Sequence, residues 1–104
     1  FKCDWSSDVC SSDLGKDSKV LVSSIKGMTG HLLGAAGAIE AVVTVAALQK
    51  GVLPPNVGCE NQDPACQVNL VDQTNQNQPD AEYALSNSFG FGGHNAVLAF
   101  RKWK

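Results

Sequence analysis

Between Lys26 and Glu40 the chain brings together the residue types that do chemistry: a lysine, a histidine at His31 and a carboxylate. A cation, an imidazole and an acid this close in sequence permit charge pairing, hydrogen-bond donation and proton transfer. By itself, a histidine beside an apolar helix reads first as a hydrogen-bonded core residue. The convergence with Lys26 and Glu40 shifts that reading, because charges are rarely buried without partners.

The elements that must hold these groups follow from the flanking pattern. Val20 to Ser24 reads as a β-strand, Lys26 to Gly30 as a loop with Thr29 or Gly30 as helix N-cap, and His31 to Gln49 as a helix ended by Gly51. From Leu33 to Leu48 only Glu40 and Thr44 interrupt the apolar and glycine residues, so the helix is expected to be buried nearly all round. Gly34, Gly37, Ala38 and Ala41 share one face with little side chain, which suits close packing against a neighbouring element. The same glycines lack the strand-then-loop order of a phosphate-binding fingerprint.

Length and composition bound the rest. At 104 residues the chain is at most one domain, and a formal charge of -2 without a basic patch argues against nucleic acid as a partner. The apolar run Leu32 to Leu48 falls short of the roughly 20 residues of a membrane span and carries Glu40 at its middle, so no span is expected. Cys59 and Cys66 stand at neither zinc-ligand nor CxxC spacing. Free thiols in a reducing cytoplasm are the default, with a Cys59–Cys66 disulfide left open. No metal or cofactor is expected. Residues 1–15 repeat Ser-Ser-Asp at Ser6–Asp8 and Ser11–Asp13 without strand or helix period, and read as a non-native, adapter-like leader without order or function.

Beyond the helix, Pro54 and Pro55 end regular structure, and residues 56–67 read as a loop. Residues 67–71 form a short strand candidate, and residues 72–82 a solvated loop. Tyr83 to Ser88 and Ala96 to Arg101 are strands joined through Phe89-Gly-Phe-Gly-Gly93, a link suited to an antiparallel hairpin. A bare glycine-rich link is most simply a tight turn, which Asn87 and Asn95 are placed to brace.

Three segments together resemble one family. Val22 to Glu40, with Lys-Gly-Met-Thr-Gly-His-Leu-Leu-Gly-Ala-Ala-Gly at its centre, resembles the lysine–histidine motif of the β-ketoacyl-[acyl-carrier-protein] synthases. Gly51-Val-Leu-Pro-Pro-Asn56 is similar to the segment following their helix, and Ser86-Asn-Ser-Phe-Gly-Phe-Gly-Gly-His-Asn95 to their C-terminal gate. The Met-Thr wording is closer to the elongating type II members than to polyketide synthase domains. The likeness runs from about Lys19 to the C-terminus.

The resemblance implies an α/β chain forming the C-terminal part of a thiolase-like fold (residues 16–104), with a long buried helix packed on a mixed sheet that ends in an antiparallel hairpin. It implies a decarboxylative Claisen condensation between an acyl-enzyme thioester and a malonyl group on acyl-carrier protein. His31 would donate a hydrogen bond to the malonyl thioester carbonyl, and Lys26 would pair with a buried carboxylate, locally Glu40. Phe91 would gate acyl entry and lend its backbone N–H to an oxyanion hole, with Gly90, Gly92 and Gly93 giving the loop its freedom and Asn87 beside it. The family's nucleophilic cysteine motif and first catalytic histidine are absent, and His94 stands where many members have threonine. The piece is therefore expected to be inactive alone, and prone to aggregate through faces that the missing N-terminal part covers. Family members are cytoplasmic homodimers.

Two other readings remain open at this point. One is a non-catalytic module binding acyl groups or acyl-carrier protein; the other is a sibling enzyme acting on coenzyme A thioesters, against which the gate segment argues.

Overall fold

The computed structural model describes residues 19–62, 64 and 68–103; the leader and Cys66 lie outside them, and Cys59 is a free thiol. The chain enters through β1 (Leu21–Val22), followed by a one-turn helix, α1 (Lys26–Thr29). A 3₁₀ turn at Leu33–Ala35 then leads into α2 (Ala36–Lys50). After a long connection come β2 (Asn69–Leu70), β3 (Tyr83–Gly90) and β4 (His94–Arg101).

The expected loop at 26–30 is a helical turn instead, and the long helix starts later than the sequence suggests. Ile25, 7% exposed, anchors α1 from below, and the Thr29 hydroxyl donates back to the Ile25 carbonyl. Thr29 thus closes one helix rather than opening the next. Gly30 caps α1 with φ +72° and donates its N–H to the Lys26 carbonyl at 2.9 Å, a path that only glycine follows without strain. At the other end Gly51 sits in the left-handed region, at φ +67°, and donates to the Ala47 carbonyl, the expected C-terminal stop.

Among the described residues the strands form two separate pairs, not one mixed sheet. β1 and β2 run parallel, with Leu21 opposite Asn69 and Val22 opposite Leu70. β3 and β4 run antiparallel, from Tyr83 opposite Arg101 to Gly90 opposite His94. The parallel pair stops after two residues because Asn56 takes up the Val71 carbonyl that would continue its ladder. The hairpin follows the period-two logic of its sequence: Ala84, Ser86 and Ser88 turn toward α2, while Leu85 and Asn87 face out.

Helix α2 is not buried all round. Ala36, Ala47 and Leu48 are covered, whereas Val42 is 66% exposed and Ile39 and Val45 are exposed too. The hairpin covers one side of the helix, and among the described residues nothing covers the other. The small-residue stripe is only partly used. A Cβ on Gly37 would meet the Ser88 Oγ at 3.6 Å, while Gly34 looks into open space.

The connection after α2 is more ordered than a solvated loop. Leu53 donates to Gln76 and Gln78 to Gly51, so residues 51–53 and 76–78 run against each other. Asp72 accepts hydrogen bonds from the Thr74 hydroxyl and from the Thr74 and Asn75 backbone N–H groups. These bonds, the Thr74 hydroxyl first, hold its carboxyl below the usual carboxylate range.

Candidate functional site: the Lys26–His31 turn and the hairpin tip

Lys26 opens α1 and Glu40 lies one turn into α2, so the two helices bring them together across the intervening turn. Lys26 Nζ donates to Glu40 Oε1 in a direct ion pair. The pair is less buried than the sequence suggests, with the Lys26 side chain 38% and the Glu40 side chain 19% exposed. The helix that carries Glu40 has one open side, so water reaches the lysine.

His31 stands in the irregular segment between α1 and the 3₁₀ turn, exposed to solvent rather than packed in a core. Its Nδ1 accepts a hydrogen bond from the Leu33 N–H at 3.1 Å. A ring nitrogen that accepts carries no proton, so the neutral imidazole holds its proton on Nε2. The ring is thereby left as an outward hydrogen-bond donor. Leu33 delivers that N–H at φ +51°, a left-handed conformation unusual for a leucine and costly by roughly 1–2 kcal/mol. Nothing in the sequence around Leu33 signals this.

Phe91 sits at the tip of the hairpin and is fully exposed, at 102% of its reference area. It therefore touches none of Lys26, His31 or Glu40. The link tightens to Phe91, Gly92 and Gly93, since Phe89 and Gly90 remain in β3. Gly92 and Gly93 take φ of +81° and +80°, which β-carbon-bearing residues rarely adopt, and Gly90 pairs with His94 at the base. Asn87 lies exposed on the outer face, opposite Val97, and among the described residues its side chain makes no hydrogen bond to the turn.

An open hollow of about 330 Å³ lies elsewhere, lined by Asn56, Cys59, Glu60, Asp72 and Asn75 among others. It contains none of the residues singled out for chemistry. Among the described residues no three potential metal ligands gather.

With the lysine–histidine turn, its paired carboxylate and the glycine-rich tip in place, the comparison with known proteins is direct. Residues 7–60 match the family described as beta-ketoacyl synthase, C-terminal domain. The chain belongs to that family. Over 85 residues this synthase-family chain is 51% identical to the 3-oxoacyl-[acyl-carrier-protein] synthase 2 of Synechocystis sp., covering 82% of the chain and 20% of that relative. It is 47% identical over 90 residues to the chloroplastic 3-oxoacyl-[acyl-carrier-protein] synthase II of Arabidopsis thaliana, covering 86% of the chain and 17% of the relative. It is also 47% identical over 83 residues to the synthase 2 of Staphylococcus aureus, strain COL. The chain thus spans about a fifth of the length of the curated relatives it matches.

Two residues of this synthase-family site escape a reading by chemical type. Asn56 ties β1, β2 and the approach to α1 together through its side chain. Gly27 presses against the backbone of Val57, where a Cβ would fall 2.3 Å from the carbonyl oxygen. The Pro-Pro-Asn wording marks Asn56 as a turn residue but not what it binds, and Gly27 carries no signal at all.

Proposed function

We propose that the chain is the C-terminal part of a thiolase-like condensing enzyme that extends fatty acyl chains. In this reaction an acyl group held as a thioester on a cysteine meets a malonyl group held on acyl-carrier protein. The malonyl carboxylate leaves as carbon dioxide, and the electron pair of the broken C–C bond passes into the thioester as an enolate. The enolate carbon then attacks the acyl thioester, forms the new C–C bond and expels the cysteine thiolate. The cysteine and a further histidine belong to the part of the enzyme outside this chain, so the chain alone performs no condensation.

The observation that carries this reading is the Leu33 N–H to His31 Nδ1 hydrogen bond. It makes Nε2 a fixed donor, suited to the oxygen of the malonyl thioester, where charge develops as carbon dioxide departs. Lys26, held by its ion pair with Glu40, fixes the start of the same turn. Phe91, exposed at the tip between Gly90 and Gly92, is the element that admits the acyl chain. By length and composition Leu33–Lys50 could cross a membrane, but its Glu40 is ion-paired and one side packs on the hairpin. The reading also makes the complete enzyme a cytoplasmic homodimer acting on carrier-protein thioesters.

The test is a chimera in which residues 19–104 replace the matching C-terminal part of the Synechocystis synthase. His31→Ala is expected to slow malonyl decarboxylation by roughly 100-fold or more, with acyl transfer to the cysteine within about twofold of the parent. Equal loss of both half-reactions would remove His31 from the role assigned to it.

A further inference from the structure

The side chain of Asn56 makes three hydrogen bonds, all to backbone groups at or just beyond the ends of β1 and β2. Its Oδ1 accepts from the Ser24 N–H at 2.9 Å. Its Nδ2 donates to the Val22 carbonyl at 3.0 Å and to the Val71 carbonyl at 3.1 Å. The Asn56 backbone N–H adds a fourth bond, to the Val71 carbonyl at 2.9 Å, and Val71 donates back to Val22 at 3.0 Å. Val71, 1% exposed, is the most deeply buried hydrophobic residue of the described core. One primary amide therefore ties the end of β1, the residue after β2 and the start of the turn to a single buried point.

The neighbours of Asn56 hold the same junction. The Ser23 hydroxyl donates to the Pro54 carbonyl, and Ser24 Oγ accepts weakly from the Lys26 N–H at 3.4 Å. One residue beyond Asn56, the Val57 carbonyl lies so close to Gly27 that no larger residue fits there. Residues 54–57 thus grip the backbone on both sides of Lys26, and Ile25 between them is buried. Where α1 leaves the strand, and so where the Lys26 ammonium and the His31 ring arrive, is set by this grip.

We infer that Asn56 is a positioning residue for the lysine–histidine turn, acting through the Ser24 and Val22 backbone on the decarboxylation step. The inference rests on the function proposed above for His31. Only an amide supplies the required combination, one acceptor for Ser24 and two donors for the Val22 and Val71 carbonyls. Aspartate keeps the acceptor but turns a carboxylate oxygen toward two carbonyl oxygens.

The experiment uses the same chimera, with Asn56→Ala, Asn56→Asp and His31→Ala assayed side by side for both half-reactions, per folded enzyme. Asn56→Ala and Asn56→Asp are expected to lower kcat for malonyl decarboxylation at least tenfold, with acyl transfer to the cysteine within twofold. Asn56→Asp is expected to recover part of that loss as the pH falls and its carboxyl regains a proton to donate. If both half-reactions fall together, or decarboxylation is unchanged in folded Asn56→Ala or Asn56→Asp enzyme, Asn56 is structural only and the inference is overturned. A variant that cannot fold in the chimera counts the same way. His31→Ala separates the two ideas: if it spares decarboxylation, the reading of His31 fails first and takes the inference with it. If it abolishes decarboxylation while both Asn56 variants spare it, the inference alone fails.

Discussion

Lys26 and Glu40 meet where water still reaches the lysine, and this sets the size of what their pairing contributes. A fully buried pair broken from one side leaves an uncompensated charge and costs about 3–5 kcal/mol. Here the Lys26 side chain is 38% and the Glu40 side chain 19% exposed, and removing the lysine opens the orphaned carboxylate further to water, so the cost falls toward the exposed-pair range. Lys26→Ala is expected to destabilise the chain by about 1 kcal/mol, which a denaturant melt resolves. A loss above about 3 kcal/mol would place the pair in a dry interior. At this scale the sequence was legible where chemistry follows from side-chain type: a lysine, a histidine and an acid within a turn and a helix. It was silent where chemistry is done by backbone. The His31 tautomer depends on a left-handed leucine, and the approach to Lys26 depends on hydrogen bonds from an asparagine 30 residues later. Neither follows from local propensity, because both are set by contacts between distant segments.

The elements that could be read from the sequence are those whose ends are fixed by local stereochemistry. Gly51 was readable as a helix terminator, and so was a hairpin with strands at Tyr83 to Ser88 and Ala96 to Arg101, which the structure extends to Gly90 and back to His94. The start of α2 was not, because Ala35 at its N-cap makes no side-chain capping bond and Thr29 is used by α1 instead. The glycines of α2 differ in what they do, and substitution separates them. Gly51→Ala meets two obstacles: φ is +67°, and the new Cβ would lie 2.7 Å from the Pro79 Cα. The combined strain and overpacking should cost about 3 kcal/mol. Gly37→Ala meets only an ordinary contact, 3.6 Å from the Ser88 Oγ, in the first turn of α2. There the gain in helix propensity should stabilise the chain by up to about 1 kcal/mol. Parallel thermal melts of the two variants check both. Equal shifts of the two would mean that helix propensity alone governs these glycines.

At the scale of the whole molecule, the apolar face of α2 is larger than the hairpin covers. On α2, Val42 is 66%, Ile39 38% and Val45 37% exposed, and the buried hydrophobic residues of the described core are few. An apolar helix face that water touches contributes little to stability, yet the composition of α2 is that of a helix covered on all sides. The chain spans only about a fifth of its relatives, which leaves most of a complete synthase available to cover that face. The composition of α2 thus points to burial that the described residues do not provide. Val42→Ser tests the point in two settings. In the chain alone, replacing a side chain already 66% exposed should change stability by no more than about 0.5 kcal/mol. In the chimera the same change should cost about 2 kcal/mol or more, since Val42 would be covered there and serine would bury an apolar-lined hydroxyl. Denaturant melts of both proteins give the comparison. Equal, small effects would mean that α2 keeps an open face in the complete enzyme, and that its apolar composition serves contact with another molecule instead.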